Sequence, residues 1–217
     1  MRVRKISNRG SRSKIIGKFP SLKLGKTVWF ESQIERDFIY LLEFDGDVLF
    51  YQEQPETINY VRDGKGHSYT PDFLVRRRGG EQLVEVKPET RRNDEENVLL
   101  FASVAPVIRA QGREFLVMPD EKIRVQPRLN NIKLLWRYAR TPIAPQHQIL
   151  CQELLSGCRQ IRLAEAIRFF EAHGVTREVV YALLYRGVLA TDLMQPLDAA
   201  APIYLSSTAL VSGRKVT

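Results

Sequence analysis

The stretch YTPDFLVRRRGGEQLVEVKP, from Tyr69 to Pro88, decides how this chain is read. β-Branched and apolar residues fill two runs, DFLVRRR and EQLVEVK, with Gly79-Gly80 between them. Two adjacent antiparallel strands are therefore expected. Asp72 opens the first strand, and Glu85 and Lys87 close the second, so the hairpin brings those ends together. Glu85 and Lys87 lie two apart, which puts both side chains on one face. Asp72 and Glu85 are hard oxygen donors of the kind Mg²⁺ takes, one or two carboxylates joined by water and substrate phosphate. Lys87 would position or deprotonate an attacking water, or neutralise charge on the phosphate. Phe73, Leu74, Val84 and Val86 would hold the set on a rigid sheet. The same residues also fit a solvated hairpin, with Asp72 capping the turn after Pro71 and Glu85 paired with Lys87 at the surface. The pattern PD-x(n)-ExK alone does not separate the two.

Working outward, ESQIERDFIYLLEFD sets Ile34, Phe38, Leu41 and Leu42 on one stripe, with acidic residues in its first turn. A helix over roughly 31–44 is expected. DVLFYQEQPETINYVRDGKGHSYTPDFLV reads as strands interrupted at Gln54-Pro55, with a hairpin turn at Asp63-Gly64-Lys65-Gly66. NDEENVLLFASVAPVIRAQG is a second helix, capped by Asn93 or Asp94, stopped at Gly112, with Pro106 as the place for a kink. REFLVMP is a short buried strand. Helix, antiparallel strands, helix and strand in this order give an α/β core on a mixed sheet. RLNNIKLLWRYARTP is expected as a connecting helix ending before Pro142, and TPIAP as the domain boundary. Beyond it, IRLAEAIRFFEAHGVTREVVYALLYRGVL reads as a helix, a turn at His173-Gly174 and a helix capped by Thr176. GVLATDLMQPLDAAAPIYL suits a β-hairpin. That order suggests a small winged-helix-like domain.

Charge divides the chain in a second way. Residues 1–26 carry nine Lys or Arg and no acidic residue, so of a net +8 the remainder after Lys26 is 8 − 9 = −1. Three parts follow: a basic N-terminal arm over 1–26, a catalytic α/β domain over 27–141 and a C-terminal domain over 145–217. Such an arm attracts polyanions, nucleic acid above all, through phosphate contacts and counterion release. Arg4, Lys5, Arg9, Arg12 and Lys14 are its candidate DNA contacts. Residues 145–217 hold seven Lys or Arg against six Asp or Glu. A strong DNA reader shows a basic face, so protein docking is favoured for this domain. Cys151 and Cys158 lack a CxxC spacing and are expected as small core residues. His67, His147 and His173 have no metal-ligand spacing and are expected as structural or exposed. No apolar h-region follows the basic N-terminus. The longest uncharged apolar stretch, VLLFASVAPVI, is too short to cross a bilayer. A cytoplasmic protein with no membrane partner, nucleoid-associated when bound to DNA, is the expectation.

The wider context resembles the TnsA family, the endonuclease subunit of heteromeric transposases. That family lies within the restriction-endonuclease-like nucleases, whose signature is PD…ExK after an acidic helix. FESQIERDFIYLLEFDGDVLFYQEQP, YTPDF and LVEVKP carry the resemblance, which covers roughly residues 20–140. The run Glu-Arg-Asp-Phe, the pair Gln54-Pro55 and Tyr-x-Pro-Asp-Phe are much more specific than the nuclease motif. The resemblance implies a restriction-endonuclease-like mixed sheet and DNA hydrolysis dependent on Mg²⁺, with Mn²⁺ as substitute. It implies a catalytic set of Glu35, Asp72, Glu85 and Lys87, with the three carboxylates as metal ligands. Glu31 lies one helical turn before Glu35 on the same face and is its rival; a surface carboxylate paired with a lysine is the plain alternative for Glu35. Gln54 either lines the site or only shapes the turn. Arg76 and Arg78 are candidate backbone contacts, although strand alternation lets only one or two of Arg76, Arg77 and Arg78 face one way.

The activity so implied is nicking at the 5′ ends of a transposon in double-stranded DNA. A TnsB-type transposase would cut and join the 3′ ends, and a TnsC-type ATPase would dock the C-terminal domain. No small-molecule substrate is expected. Two rival readings stay open. A stand-alone restriction- or resolvase-like nuclease would share the site and cut without a partner. A non-enzymatic DNA-binding adaptor would tolerate Asp72→Ala.

Overall fold

A hairpin opens the fold of residues 16–206, the part of the chain that the computed structural model describes. β1 (Gly17–Ser21) and β2 (Lys26–Phe30) pair antiparallel. The segment expected as an arm over 1–26 is therefore strand and turn from Gly17 onward. Lys18, Lys23 and Lys26 mask an alternation in which Phe19, Val28 and Phe30 are buried while Lys18, Pro20 and Thr27 are exposed. Gly17 is required by contact: a Cβ there would collide with the Phe30 ring.

Helix α1 (Gln33–Phe44) starts where the stripe predicts, within two residues. Ser32 caps it, its Oγ accepting the Glu35 N–H at 3.1 Å. Phe38, Ile39 and Leu42 form its buried face. So does Glu43, a carboxylate that is only 5% exposed. It accepts from Ser21 Oγ at 2.5 Å, from the N–H groups of Leu22 and Lys23 at 2.9 and 3.2 Å, and from Tyr51 Oη at 2.7 Å. One buried carboxylate thus joins the first hairpin, α1 and the strand β3 (Val48–Glu53).

After β3 the chain leaves the main sheet as a second hairpin, β4 (Ile58–Arg62) and β5 (Lys65–Tyr69). Its two turn residues, Asp63 and Gly64, have φ of 52° and 72°. Positive φ at both central positions is the signature of the turn that matches strand twist. β6 (Phe73–Arg77) and β7 (Gly80–Lys87) follow, joined by Arg78-Gly79. A short helix α2 (Glu89–Arg92), unforeseen from the sequence, precedes α3 (Glu95–Ala110). Gly112 ends that segment at φ 74°. β8 (Glu114–Pro119) and α4 (Asp120–Ile123) complete the unit.

The central sheet has the order β3-β6-β7-β8, antiparallel except for β8, which runs parallel to β7. One face takes α1, with the Phe38 and Phe73 rings edge to face at 5.5 Å. On the other face Leu83 packs with Ile58 and Tyr60 of the second hairpin and with Val104 and Ile108 of α3. A mixed sheet flanked by helices is consistent with a restriction-endonuclease-like fold.

The chain divides at Val125/Gln126, and the second unit is described by itself. It comprises α5 (Arg128–Trp136), α6 (Pro145–Leu154), β9 (Ile161–Arg162), α7 (Leu163–Ala172), α8 (Arg177–Tyr185), β10 (Leu189–Ala190) and β11 (Pro202–Leu205). The helix expected as a connector, α5, belongs to this unit. It buries Leu129, Ile132 and Leu135, packs on α8, and its Asn131 amide donates to the Leu193 and Gln195 carbonyls at 2.9 and 2.8 Å. α7 and α8 meet across the turn at Gly174, whose φ is 71°. The small strands form a sheet of order β10-β11-β9. Cys151 is buried, and burial pushes its thiol up to about 12. Cys158, expected in the core, is exposed. No helix among the described residues is long and apolar enough to cross a membrane.

Candidate active site

The register of the central hairpin assembles the site. Phe73 pairs with Val84, Leu74 with Leu83 and Arg76 with Glu81. One step further places Asp72 across from Glu85. Asp72 is anchored there: its Oδ2 accepts the Val86 N–H at 2.8 Å. Its carbonyl accepts the Gln54 N–H, also at 2.8 Å. Glu85 is buried, 4% exposed, and both its oxygens are engaged. Oε1 meets Lys87 Nζ at 2.7 Å, and Oε2 accepts the Tyr69 hydroxyl at 2.5 Å.

The electrostatics are those of crowded carboxylates. Burial first, then the charges of Glu85 and Glu35, hold the Asp72 carboxyl well above the usual aspartate range. Glu35 is likewise raised, by burial and by Glu31 and Glu85, against hydrogen bonds that favour its charge. Burial opposes the Lys87 ammonium, but Glu85 and Asp72 outweigh it and hold the amine above the ordinary lysine value. Lys87 is therefore an ammonium at neutral pH. Burial and Glu85 raise Tyr69 so far that it stays a donor.

Glu35 stands at the start of α1, where its Oε2 accepts the Glu31 N–H at 2.7 Å. It is the α1 carboxylate whose charge reaches both Asp72 and Glu85. Glu31 accepts instead from Gln54 Nε2 at 2.9 Å. Gln54 is buried and sits at φ 42°, a left-handed conformation costly for any residue but glycine. It both shapes the turn before Pro55 and ties Glu31 to the Asp72 backbone.

The three arginines diverge. Arg76 is exposed and pairs with Glu81 at 2.8 Å, while Arg77 is engaged by Asp45 and Asp47. Arg78 is exposed in the turn. Arg4, Lys5, Arg9, Arg12 and Lys14 lie outside the described residues. The histidines sit in local contacts: His67 stacks on Tyr60, His147 Nδ1 accepts the Ala144 N–H, and His173 lies against Phe169.

Among the described residues no three His, Cys, Asp or Glu side chains form a ready-made metal cage. The donors that do converge, Asp72 and Glu85 with Glu35 nearby, are hard carboxylates whose mutual repulsion a cation would relieve. That suits Mg²⁺, which binds through one or two carboxylates with water and phosphate, and does not suit a closed structural site. Tyr69 escaped the sequence reading although it stands three residues before Asp72. Only the path of β5 past β7 reveals its hydroxyl at Glu85.

A scan of protein families adds an independent finding. Residues 45–120 match the family described as TnsA-like endonuclease N terminal, a span that holds Asp72, Glu85 and Lys87. This segment is similar to the N-terminal domain of TnsA-like endonucleases. The match ends short of Glu31 and Glu35 on one side and of the second unit on the other. No curated protein matches the chain.

Proposed function

We propose that this TnsA-like chain is the DNA endonuclease subunit of a transposase, hydrolysing phosphodiester bonds at the 5′ ends of a transposon during cut-and-paste transposition. The observation that carries the reading is Asp72 facing Glu85, with Lys87 held on Glu85, inside the segment that matches the endonuclease family. Water adds to phosphorus and the 3′-oxygen leaves, giving 3′-hydroxyl and 5′-phosphate ends. Asp72, Glu85 and Glu35 would hold Mg²⁺, or Mn²⁺ in its place, which supplies charge stabilisation on phosphate oxygens and a more acidic water. Lys87, held on Glu85, would position or deprotonate the attacking water or place positive charge against the phosphate. Tyr69 and Val86 orient Glu85 and Asp72.

A TnsB-type transposase would cut and join the 3′ ends. The second unit would dock a TnsC-type ATPase. The order β9, α7, α8, β10, β11 supports a winged-helix-like reading of that unit. Its near-balanced charge supports docking over DNA reading. A cytoplasmic, nucleoid-associated location belongs to the same reading.

Strand nicking tests it, on a plasmid carrying the cognate transposon ends, in Mg²⁺ or Mn²⁺, with and without the partner transposase. The expected result is partner-dependent 5′-strand nicks that vanish in Asp72→Ala and Lys87→Ala. Nicking without a partner would replace this reading with a stand-alone nuclease. Wild type that never nicks, yet supports the partner no better than Asp72→Ala does, would leave a DNA-binding adaptor.

A further inference from the structure

Several cations of the first unit are engaged internally. Lys23 Nζ donates to the carbonyls of Asp45 and Val48 at 2.5 and 2.6 Å. Arg77 is held by Asp45, Arg113 by Glu56 and Arg124 by Asp37. Lys18 and Lys26 differ. Both are exposed, and neither has an acidic partner among the described residues. Each instead lies over an aromatic ring: Lys18 Nζ is 4.7 Å from the Trp29 ring centre and Lys26 Nζ 5.9 Å from that of Phe50. Arg76 covers Phe50 as well, at 5.5 Å. A ring orients a cation without neutralising it, so the charge of both lysines remains available to an outside anion.

Register ties this patch to the candidate site. Phe50 pairs with Arg76 across β3 and β6, and Arg76 lies four residues along from Asp72. An even spacing keeps Arg76 and Phe50 on the sheet face that carries Asp72 and Glu85. Four strand residues span about 13 Å, comparable to about four nucleotide steps at roughly 3.4 Å each along a duplex axis.

We propose that Lys18 and Lys26, held over Trp29 and Phe50 and flanked by Arg76, form a backbone-tracking surface for double-stranded DNA leading away from the candidate active site. Charge complementarity selects the occupant. Residues 1–15, which lead directly into β1, carry six Lys or Arg and no acidic residue, so the cationic run continues in sequence from the patch. The identity of the polyanion as DNA rests on the nuclease reading, and the surface is tested separately from it.

The test is equilibrium binding of the full chain to a fluorescent random-sequence duplex in EDTA, as a function of salt. Each phosphate contact contributes about 0.9 to the slope of log K against log salt. Lys18→Gln/Lys26→Gln is expected to lower the slope by about 2, and Lys18→Arg/Lys26→Arg to retain it. A control, Arg62→Gln/Lys65→Gln on the β4–β5 turn, is expected to keep the wild-type slope. A slope unchanged in the first variant, or lowered equally in the control, overturns the surface. An unchanged slope with loss of nicking confined to reactions containing the partner transposase would assign the patch to a protein instead, and overturn it too. Because binding is read without cleavage, a slope loss in a chain that never nicks would keep the surface and sink the nuclease. Nicking with an unchanged slope would do the reverse.

Discussion

Gln54 occupies a left-handed backbone conformation at φ 42° while its side chain, buried, holds Glu31. Such strain costs on the order of 1–3 kcal/mol and persists where surrounding contacts impose it. The usual preference for alanine over glycine should therefore reverse here. Both Gln54→Ala and Gln54→Gly lose the bond to Glu31, but only the alanine keeps the strain, so it should be less stable by about 1 kcal/mol in urea unfolding. Equal stabilities would mean that the turn relaxes. Asp72 gives a prediction of opposite character. Its native carboxyl is raised, so the stability it contributes is present below the ordinary aspartate range and is lost as pH rises through the native value. In EDTA at neutral pH, Asp72→Asn should melt higher than wild type, and the gain should vanish towards acid. Nicking should fall on the order of a hundredfold or more. A lower melting temperature at neutral pH would show that Asp72 is not held against its neighbours' charge. Asp72, Glu85 and Lys87 were legible because strand alternation and one glycine turn determine their meeting. The choice between Glu31 and Glu35 was not, because the stripe ran the helix back to residue 31, whereas Glu31 lies before the Ser32 cap, outside α1, and accepts from Gln54. Tyr69 was illegible because its partner is set by a hairpin that leaves the sheet.

Elements whose periodicity stands alone, such as α1, α3 and the β4–β5 turn, were foreseen to within a few residues. The β1–β2 hairpin was not. Its lysines drew attention to charge, and its apolar alternation is short. What makes it fold is tertiary: a carboxylate on α1 that no local pattern announces. Glu43 accepts four bonds, from the hairpin and from Tyr51. Glu43→Gln puts an amide against some of those donors, and the buried groups then lose partners. A loss of about 2–4 kcal/mol is expected, measured by denaturant unfolding. Hydrogen exchange should show the loss of protection concentrated in Gly17–Phe30. Uniform loss across the sheet would mean that Glu43 supports the core generally rather than the hairpin. α5 was misplaced for a related reason. A helix between two domains looks the same in sequence whichever side it joins, and only Asn131 reaching the Leu193 and Gln195 carbonyls assigns it.

At the scale of the whole molecule, charge is segregated along the sequence. Residues 1–15 hold six cations, so the remainder carries 8 − 6 = +2. The folded units are then nearly neutral, and affinity for DNA should come mainly from the N-terminal run and the Lys18/Lys26 patch, while chemistry comes from the sheet. The two contributions are separable by experiment. Deleting residues 1–15 should lower the slope of log K against log salt by up to about 5, at about 0.9 per phosphate contact. DNA binding should weaken steeply at physiological salt. The nicking rate at saturating DNA should stay within a few-fold of wild type, because Asp72, Glu85 and Lys87 are positioned by β6 and β7 and not by the deleted run. The same deletion combined with Lys18→Gln/Lys26→Gln should leave little salt dependence, since the second unit is close to charge balance. A double variant that retains a steep slope would place the dominant phosphate contacts elsewhere, with Arg78 and the second unit the next regions to probe. A deletion that abolishes nicking even at saturating DNA would make the N-terminal run part of the catalytic assembly rather than a tether.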